Sequence, residues 1–178
     1  LFRGRSVASL FLLVAFEAVA APRLPGFFSD NMVLQRDIQV PVWGWADPAE
    51  AVTVSFGGQT AAATADANGK WVVRLAPMPA SVDARELSVR STAAQTGGIV
   101  LKGVVVGDVW ICSGQSNMEW TLGGIKNAKA EIAAADYPLI RHAKIGLASA
   151  SFPVADVASQ WQVCSPSSAG GFTAVGYL

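Results

Sequence analysis

The chain has 178 residues and a formal net charge of zero, with 13 Lys and Arg balancing 13 Asp and Glu. A nucleic-acid-binding domain normally carries a basic stripe, so this balance argues against nucleic acid as a partner. Charged residues make up 15% of the sequence, against about 25% in a typical domain, which excludes a disordered chain. Two cysteines are too few for a disulfide framework, and no zinc spacing or cofactor motif appears, so neither a metal nor a cofactor is predicted.

Residues 1–21 have the pattern of an export signal. Arg3 and Arg5 precede an apolar run over Val7–Phe16, and Ala18-Val19-Ala20 follows as a small-x-small cleavage site. The run is shorter than the roughly 20 apolar residues that a membrane-spanning helix needs. A buried N-terminal helix is the alternative interpretation. We therefore expect an exported protein, periplasmic or extracellular, with no membrane span in its mature part.

The segment 22–102 is predicted to form a β-sandwich domain. Apolar and polar residues alternate along several short stretches, which is the pattern of half-buried strands. The predicted inward-facing residues are Val40, Val42, Val52, Val54, Phe56, Leu87 and Val89. Turn residues separate the stretches at Gly57-Gly58 and Asp66–Gly69, and the Asn68-Gly69 pair favours a hairpin. Short strands separated by such turns are typical of an antiparallel sandwich.

From residue 103 to residue 178 the pattern is that of the start of an α/β domain. Val104–Cys112 is almost continuously apolar, which suits a central strand of a parallel sheet. The Ala-rich stretch Ile125–Ala135 predicts a helix, and Leu139–Ile145 predicts the next strand. The sequence closes on the apolar stretch Phe172–Leu178 without a polar tail, so we expect it to stop inside this domain.

The predicted central strand leads into a polar turn that contains a candidate nucleophile, Ser116. Ligands of open α/β sheets bind beyond the carboxyl ends of the strands, and Gly114 would permit a tight turn there. Ser116 would act as a nucleophile if a base took its proton and amide donors received the oxyanion. The alternative is an ordinary polar turn. The turn is not the GxSxG elbow of α/β-hydrolases, because Met118 stands where the second glycine would be.

The segment Gly107–Met118 resembles the nucleophile segment of the sialate O-acetylesterases, which are serine carbohydrate esterases of the SGNH hydrolase type. The resemblance covers nearly all of the mature chain in order. Its other stretches are Phe28–Arg36, Pro41–Ala46, Ile140–Ala143, Trp161–Pro166 and Phe172–Tyr177. It implies a flavodoxin-like α/β domain after the sandwich. It also implies an enzyme that removes acetyl groups from an O-acetylated sugar, sialic acid or another glycan, through an acetyl-enzyme on Ser116 without a cofactor.

The same resemblance implies an oxyanion hole formed by the backbone N–H groups of Ser116 and of a glycine on a second loop. Gly176 is the candidate for that glycine, and a simple turn glycine is the alternative. The family's Asp-x-x-His segment, which supplies the base, has no match here. The only histidine, His142, fits an ordinary strand residue better than a base, and Asp136 is a still weaker candidate for its orienting acid. We therefore expect the 178-residue chain to be nearly inactive by itself.

Cysteine and tryptophan residues have two interpretations each. Cys112 and Cys164 could form a disulfide in an oxidising compartment, or Cys112 could be a buried free thiol. No adjacent basic group would activate Cys112 as a nucleophile. Trp43, Trp45 and Trp71 could stack on sugar rings, but packing in the core or between domains is favoured.

Two cations near the predicted second strand also have two interpretations. Arg141 and Lys144 could attract the carboxylate of a sialic acid, or they could be solvated charges on a strand.

A non-catalytic sugar-binding or structural β module is the main alternative to an esterase. A serine hydrolase for another ester class, such as a lipase, is the third possibility, and the absence of an apolar acyl-binding lid from the sequence argues mildly against it.

Overall fold

Between residues 33 and 107, the computed structural model is built almost entirely from strands; it describes residues 21–92 and 98–178 of the chain. The strands are β1 (Val33–Gln35), β2 (Val40–Trp45), β3 (Ala51–Phe56), β4 (Gln59–Thr64), β5 (Lys70–Leu75), β6 (Ser81–Ser91) and β7 (Ile99–Gly107). The prediction of a β-rich first region is confirmed. The predicted export signal, apart from Ala21, lies outside the described residues.

These strands form two sheets that share one hydrophobic core. The larger sheet has the order β1-β7-β6-β3-β4, in which only the β1–β7 pair is parallel, and β2 and β5 form a separate antiparallel pair. The predicted inward-facing residues are all buried in this core, together with Trp71, Val73, Leu75 and Val104. Full burial of one such aliphatic side chain is worth about 1.5–3 kcal/mol, so this core is the main source of stability.

The two predicted turns behave differently. Gly57 and Gly58 have φ of 58° and 81°, and Phe56 pairs directly with Gln59, so a two-residue hairpin joins β3 and β4. At Asn68-Gly69 the hairpin prediction is wrong, because only Gly69 has a positive φ and the turn leads from β4 to β5 in the other sheet. The Asp66 carboxylate accepts the N–H groups of Asn68 (2.7 Å) and Lys70 (3.0 Å). This side-chain turn replaces the hairpin.

The predicted central strand over Val104–Cys112 is wrong beyond Gly107. Val104, Val105 and Val106 lie in β7, which pairs with β1 and β6 of the first region. Residues 108–114 form no strand within the described part of the chain. A stretch of β-forming residues needs a neighbouring strand to pair with, and β1 ends where β7 ends. The predicted boundary between residues 102 and 103 falls inside β7, and the division into domains stays a prediction.

The region after residue 107 has short elements. They are α1 (Ser116–Glu119), α2 (Ala128–Ala134), β8 (Tyr137–Ala143), β9 (Trp161–Cys164) and α3 (Ala174–Tyr177), with single 3-10 turns at Leu122–Gly124 and Ala169–Gly171. The predicted helix and second strand are present as α2 and β8. However, β8 pairs antiparallel with β9, so no parallel α/β sheet forms among the described residues. No helix in residues 21–92 or 98–178 combines the length and apolar character required to cross a membrane.

Hydrogen bonds attach the second region to the first at several points, including those that Asp156 accepts from Arg23 (2.6 Å) and from the Gly26 N–H (2.9 Å). At the end of β7, the Val109 N–H donates to Oε1 of Gln35 (2.8 Å), and Arg36 forms an ion pair with Asp108 (2.8 Å). Farther along the chain, the Trp161 N–H donates to Ser29 Oγ (3.0 Å) and its indole N–H donates to the Phe27 carbonyl (3.0 Å). The contacts of Gln35 and Arg36 fix the point at which the segment that contains the candidate nucleophile leaves the β-rich region.

Candidate functional site

Ser116 lies at the start of α1 and is exposed to solvent. Its backbone N–H belongs to the first turn of the helix, where amide groups have no partner within the helix. No hydrogen bond among the described residues engages that N–H or the Ser116 hydroxyl. Both groups that the sequence analysis assigned to catalysis are therefore free to meet a ligand.

The turn before α1 folds back on itself through Met118. The Met118 N–H donates to the Gln115 carbonyl (2.8 Å), and a Cβ at Gly114 would lie 2.9 Å from Met118 Cγ. Met118 thus occupies the space beside Gly114, which a larger residue at position 114 would need. This packing explains how a side chain is accommodated where the GxSxG elbow requires a second glycine.

The segment that contains Gly176 lies against the segment that contains Ser116. The Leu122 N–H donates to the Phe172 carbonyl (2.9 Å), and the Ala174 N–H donates to the Trp120 carbonyl (2.8 Å). A Cβ at Gly176 would lie only 2.6 Å from Cys112 Sγ, so glycine is needed for this close approach. The Gly176 N–H has no partner among the described residues. The structure therefore brings together the two loops that the sequence analysis placed around an oxyanion.

A cleft of about 1440 Å³ opens beside these two loops. Gln115 and Met118, on either side of Ser116, line the cleft, and so do Cys112 and Gly176. Ser116 itself is not among the lining residues. Part of β8 forms another section of the lining, including Arg141 and His142.

His142 lies in this lining but forms no hydrogen bond with Ser116. Its side chain is 6% exposed and stacks on the Phe172 ring, with 4.7 Å between the ring centroids. Burial lowers the pKa of His142, so the ring is neutral at pH 7, and its Nε2 atom has no hydrogen-bond partner. The exposed carboxylate of Asp136 is not among the groups that influence this pKa. The described residues thus contain no Ser-His-Asp arrangement.

Arg141 and Lys144 are in different environments. Arg141 is half-buried, burial lowers its pKa, and its Nε atom has no partner among the described residues. Lys144 is exposed and donates to the Gly171 carbonyl at 3.4 Å. Both line the cleft. Arg141, with an unused donor, is the better candidate for binding a carboxylate.

Both cysteines are free thiols, and the tryptophans of the β-rich region pack against other side chains. Cys112 and Cys164 are both free thiols, so the disulfide alternative does not hold in this structure. Burial raises the pKa of Cys164. Trp71 is buried in the core. Trp43 and Trp45 pack edge to face, with 5.6 Å between their ring centroids. The guanidinium carbon of Arg23 lies 3.8 Å from the centroid of the Trp45 ring.

Comparison with known proteins identifies the family. No family model matches the chain. The sialate O-acetylesterase of Mus musculus is 29% identical over 133 residues, which are 70% of this chain and 25% of the mouse protein. The Homo sapiens sialate O-acetylesterase is 30% identical over 127 residues, which are 67% of this chain and 24% of the human protein. The crystal structure of a carbohydrate acetylesterase from Xanthomonas citri superposes with a TM-score of 0.83 and 40% identity, covering 88% of this chain and 36% of that chain.

The chain belongs to the sialate O-acetylesterase family. This confirms the resemblance drawn from Gly107–Met118 and the stretches around it. The chain spans about a quarter of the length of the curated relatives that it matches. Its β-rich architecture is that of part of the X. citri acetylesterase.

Sequence reasoning missed two features of the site. It did not anticipate that Gln35 and Arg36 hold the start of the nucleophile segment, although both residues fall within a stretch that carries the family resemblance. It also did not anticipate that Thr173, a buried residue, lines the cleft with an unpartnered hydroxyl. Neither role follows from residue spacing, because each depends on segments far apart in the chain.

Proposed function

We propose that this chain carries the nucleophile of a carbohydrate acetylesterase, an enzyme that hydrolyses O-acetyl groups on sugars. The observation that carries the proposal is the exposed Ser116 hydroxyl beside a large cleft, with the unpartnered N–H groups of Ser116 and Gly176 on adjoining loops. Membership of the sialate O-acetylesterase family supports the same chemistry. A non-catalytic β module would have no need for two adjoining loops with free amide donors.

In the proposed reaction, Ser116 Oγ attacks the carbonyl carbon of the acetyl ester and its hydroxyl proton passes to a base. The negative charge that develops on the carbonyl oxygen is held by the N–H groups of Ser116 and Gly176. The bond to the sugar oxygen then breaks, and that oxygen takes up the proton. Water attacks the resulting acetyl-enzyme, which releases acetate and restores the Ser116 hydroxyl.

We propose that the base comes from outside these residues. Burial lowers the pKa of His142, which favours the neutral ring that can accept a proton, but the ring is buried against Phe172 and forms no hydrogen bond with Ser116. A base has to lie within about 2.6–3.2 Å of the hydroxyl, directly or through one water. We therefore propose that the 178-residue chain hydrolyses esters only slowly by itself and that the complete enzyme has its base elsewhere.

The proposed substrate is an acetylated sugar outside the cytoplasm. The curated relatives are named for sialate, and the structural relative is named for carbohydrate in general, so sialic acid and other glycans both fit. The unused donor of Arg141 would suit the carboxylate of a sialic acid. The export signal predicted over residues 1–21 supports a periplasmic or extracellular location.

The test is a chimera in which residues 22–178 replace the matching part of the X. citri acetylesterase. The chimera should hydrolyse 4-nitrophenyl acetate, and Ser116→Ala should lower its kcat by roughly a thousandfold or more. Ser113→Ala is the matched control, because Ser113 is an exposed serine of the same loop. Equal rates for Ser116→Ala and the unsubstituted chimera would assign the nucleophile elsewhere.

The 178-residue chain tested alone provides the second measurement. Its rate should be close to that of uncatalysed hydrolysis and should not change in Ser116→Ala. A chain that is fully active alone would show that the base is present after all, and would make His142 the first residue to substitute.

A further inference from the structure

A second cavity, of about 790 Å³, lies between the segment before β1 and the second region. We call it the side cavity, and its lining comes from the segments 26–29, 142–144, 158–162 and 168–172. His142 and Phe172, whose rings stack on each other, line both the side cavity and the cleft described above. The two spaces are therefore neighbours, and a ligand in the cleft has a second space next to it.

One wall of the side cavity is a loop that hydrogen bonds hold against the β-rich region. The Asp156 carboxylate accepts hydrogen bonds from the Gly26 N–H (2.9 Å) and from the Arg23 guanidinium (2.6 Å). A Cβ at Gly26 would lie 2.7 Å from the Val157 carbonyl oxygen, so glycine is needed where the loop and the segment before β1 meet. The fold thus positions this wall without help from a ligand, as is usual for binding pockets.

Several polar groups of the lining have hydrogen-bonding capacity that the described residues do not use. The Gln160 side chain has no hydrogen-bond partner there, and the Ser29 hydroxyl accepts the Trp161 N–H but donates to no group. The Nε2 atom of the buried His142 has no partner either. The Lys144 ammonium makes a single hydrogen bond, to a backbone carbonyl at 3.4 Å. Such groups favour a ligand that itself donates and accepts hydrogen bonds.

Aromatic rings accompany these polar groups, and the combination indicates the class of ligand. Phe28 and Phe172 both line the side cavity, and none of its lining residues has a carboxylate. A sugar ring presents C–H groups on its faces, which pack on aromatic rings, and hydroxyls at its edge, which donate and accept hydrogen bonds. A hydrocarbon would leave the polar groups unsatisfied, and a phosphorylated ligand would call for more cations than Lys144.

We propose that the side cavity is a subsite for a further sugar unit of the glycan, next to the acetylated unit that occupies the cleft. The proposal rests on the proposed function for the identity of the ligand as a glycan. Gln160 and Ser29 bind the hydroxyls of the further unit, and Phe28 packs on its ring. It follows that acetylated oligosaccharides are better substrates than acetylated monosaccharides.

Binding to the 178-residue chain tests the subsite without requiring hydrolysis. The probes are the acidic sialyllactose and the neutral xylotetraose, each compared with its own monosaccharide, sialic acid or xylose, by isothermal titration calorimetry. At least one of the two oligosaccharides should bind roughly tenfold more tightly than its monosaccharide, because it fills both spaces. If neither oligosaccharide binds more tightly than its monosaccharide, the proposal is wrong.

Substitutions in the lining then locate the binding. Ala158→Phe fills part of the side cavity and should weaken binding of the longer probe roughly tenfold, while the affinity for the monosaccharide stays the same. Ala155→Phe is the matched control, because Ala155 is an exposed alanine of the same loop that does not line the cavity. Equal weakening by these two variants would contradict the proposal.

Gln160→Ala is the second variant, and it removes the free amide without adding bulk. It should weaken the longer probe roughly fivefold. The unfolding midpoint should be unchanged, because Gln160 is exposed and makes no hydrogen bond that the fold would lose. Unchanged affinity of Gln160→Ala for the longer probe would remove this side chain from the site and, together with unchanged affinity of Ala158→Phe, would overturn the subsite.

Kinetics of the chimera separate this proposal from the assignment of Ser116. With the acetylated form of the oligosaccharide that binds, Ala158→Phe should raise KM roughly tenfold, whereas hydrolysis of 4-nitrophenyl acetate, which has no sugar unit, should be unchanged. Binding that depends on sugar length in a chimera that hydrolyses no ester would support the subsite and count against Ser116 only. Hydrolysis that depends on Ser116 but is equally fast for short and long sugars would support the nucleophile and overturn the subsite.

Discussion

The region up to Gly107 and the region after it bury their apolar residues to very different extents. In the first, Val54 and Leu87 are completely buried between two sheets. In the second, the cluster of fully buried residues is limited to Leu122, Ala135, Cys164 and Ala169, while side chains as large as Trp110 stay exposed. Both regions contain β-forming apolar stretches, so the difference lies in whether a partner strand is present to cover them.

The same comparison explains where the candidate site lies. The first region has one large hydrophobic core, and the chain leaves its last strand, β7, at a point held by Gln35 and Arg36. The second region begins there and contains the exposed Ser116, whose neighbours Gln115 and Met118 line the cleft. A stable scaffold therefore carries the segment that contains the candidate site.

The largest expected effect is in the first region. Leu87→Ala should lower the free energy of unfolding by about 2–5 kcal/mol, because the cavity forms in a core that cannot collapse around it. Urea unfolding followed by tryptophan fluorescence measures this. Leu147→Ala makes the same change at a side chain that is already exposed, and it should cost less than about 0.5 kcal/mol. Similar costs for both would mean that the second region is packed as tightly as the first.

A smaller effect is expected where the two loops of the site meet. Gly176→Ala puts a methyl group 2.6 Å from Cys112 Sγ, which is too close for two non-bonded atoms. The loops therefore have to separate, and the free energy of unfolding should fall by about 1 kcal/mol. The Cys112 thiol should then react faster with an alkylating reagent. Gly146→Ala is the control, since nothing lies within 4 Å of a Cβ at that position. Unchanged Cys112 reactivity in Gly176→Ala would argue against the close approach of the loops.

The smallest expected effect is a pH dependence from the only histidine of the chain. Burial lowers the pKa of His142 below its ordinary value of 6.5, so the unfolded chain takes up a proton at a higher pH than the folded chain does. The stability that the neutral ring contributes is complete above about pH 6.5 and is lost as the pH falls through the folded-state pKa. The urea midpoint should therefore drop between pH 7.5 and pH 5 more in the natural chain than in His142→Gln. The same drop in both would show that His142 is not the group responsible.

The predictions from sequence are confirmed where the local pattern of residues decides the structure. Strand positions such as Val52 and Val54, the turn at Gly57-Gly58 and the helix α2 all follow from the spacing of apolar residues and from glycine. The predictions failed at Asn68-Gly69, where the Asp66 side chain forms a competing turn. They also failed over residues 108–112, where an apolar run remains without a strand to pair with.

The sequence by itself determined the β-rich first region and the family to which the chain belongs, and it suggested Ser116 as the candidate nucleophile, because each is encoded in short stretches of consecutive residues. Only the tertiary structure decided that β7 belongs to the first region, that the Gly176 loop lies against Cys112 and that His142 is buried against Phe172. Those outcomes depend on which distant segments pair and pack together, and pairing between distant segments is not written in the pattern of either one alone.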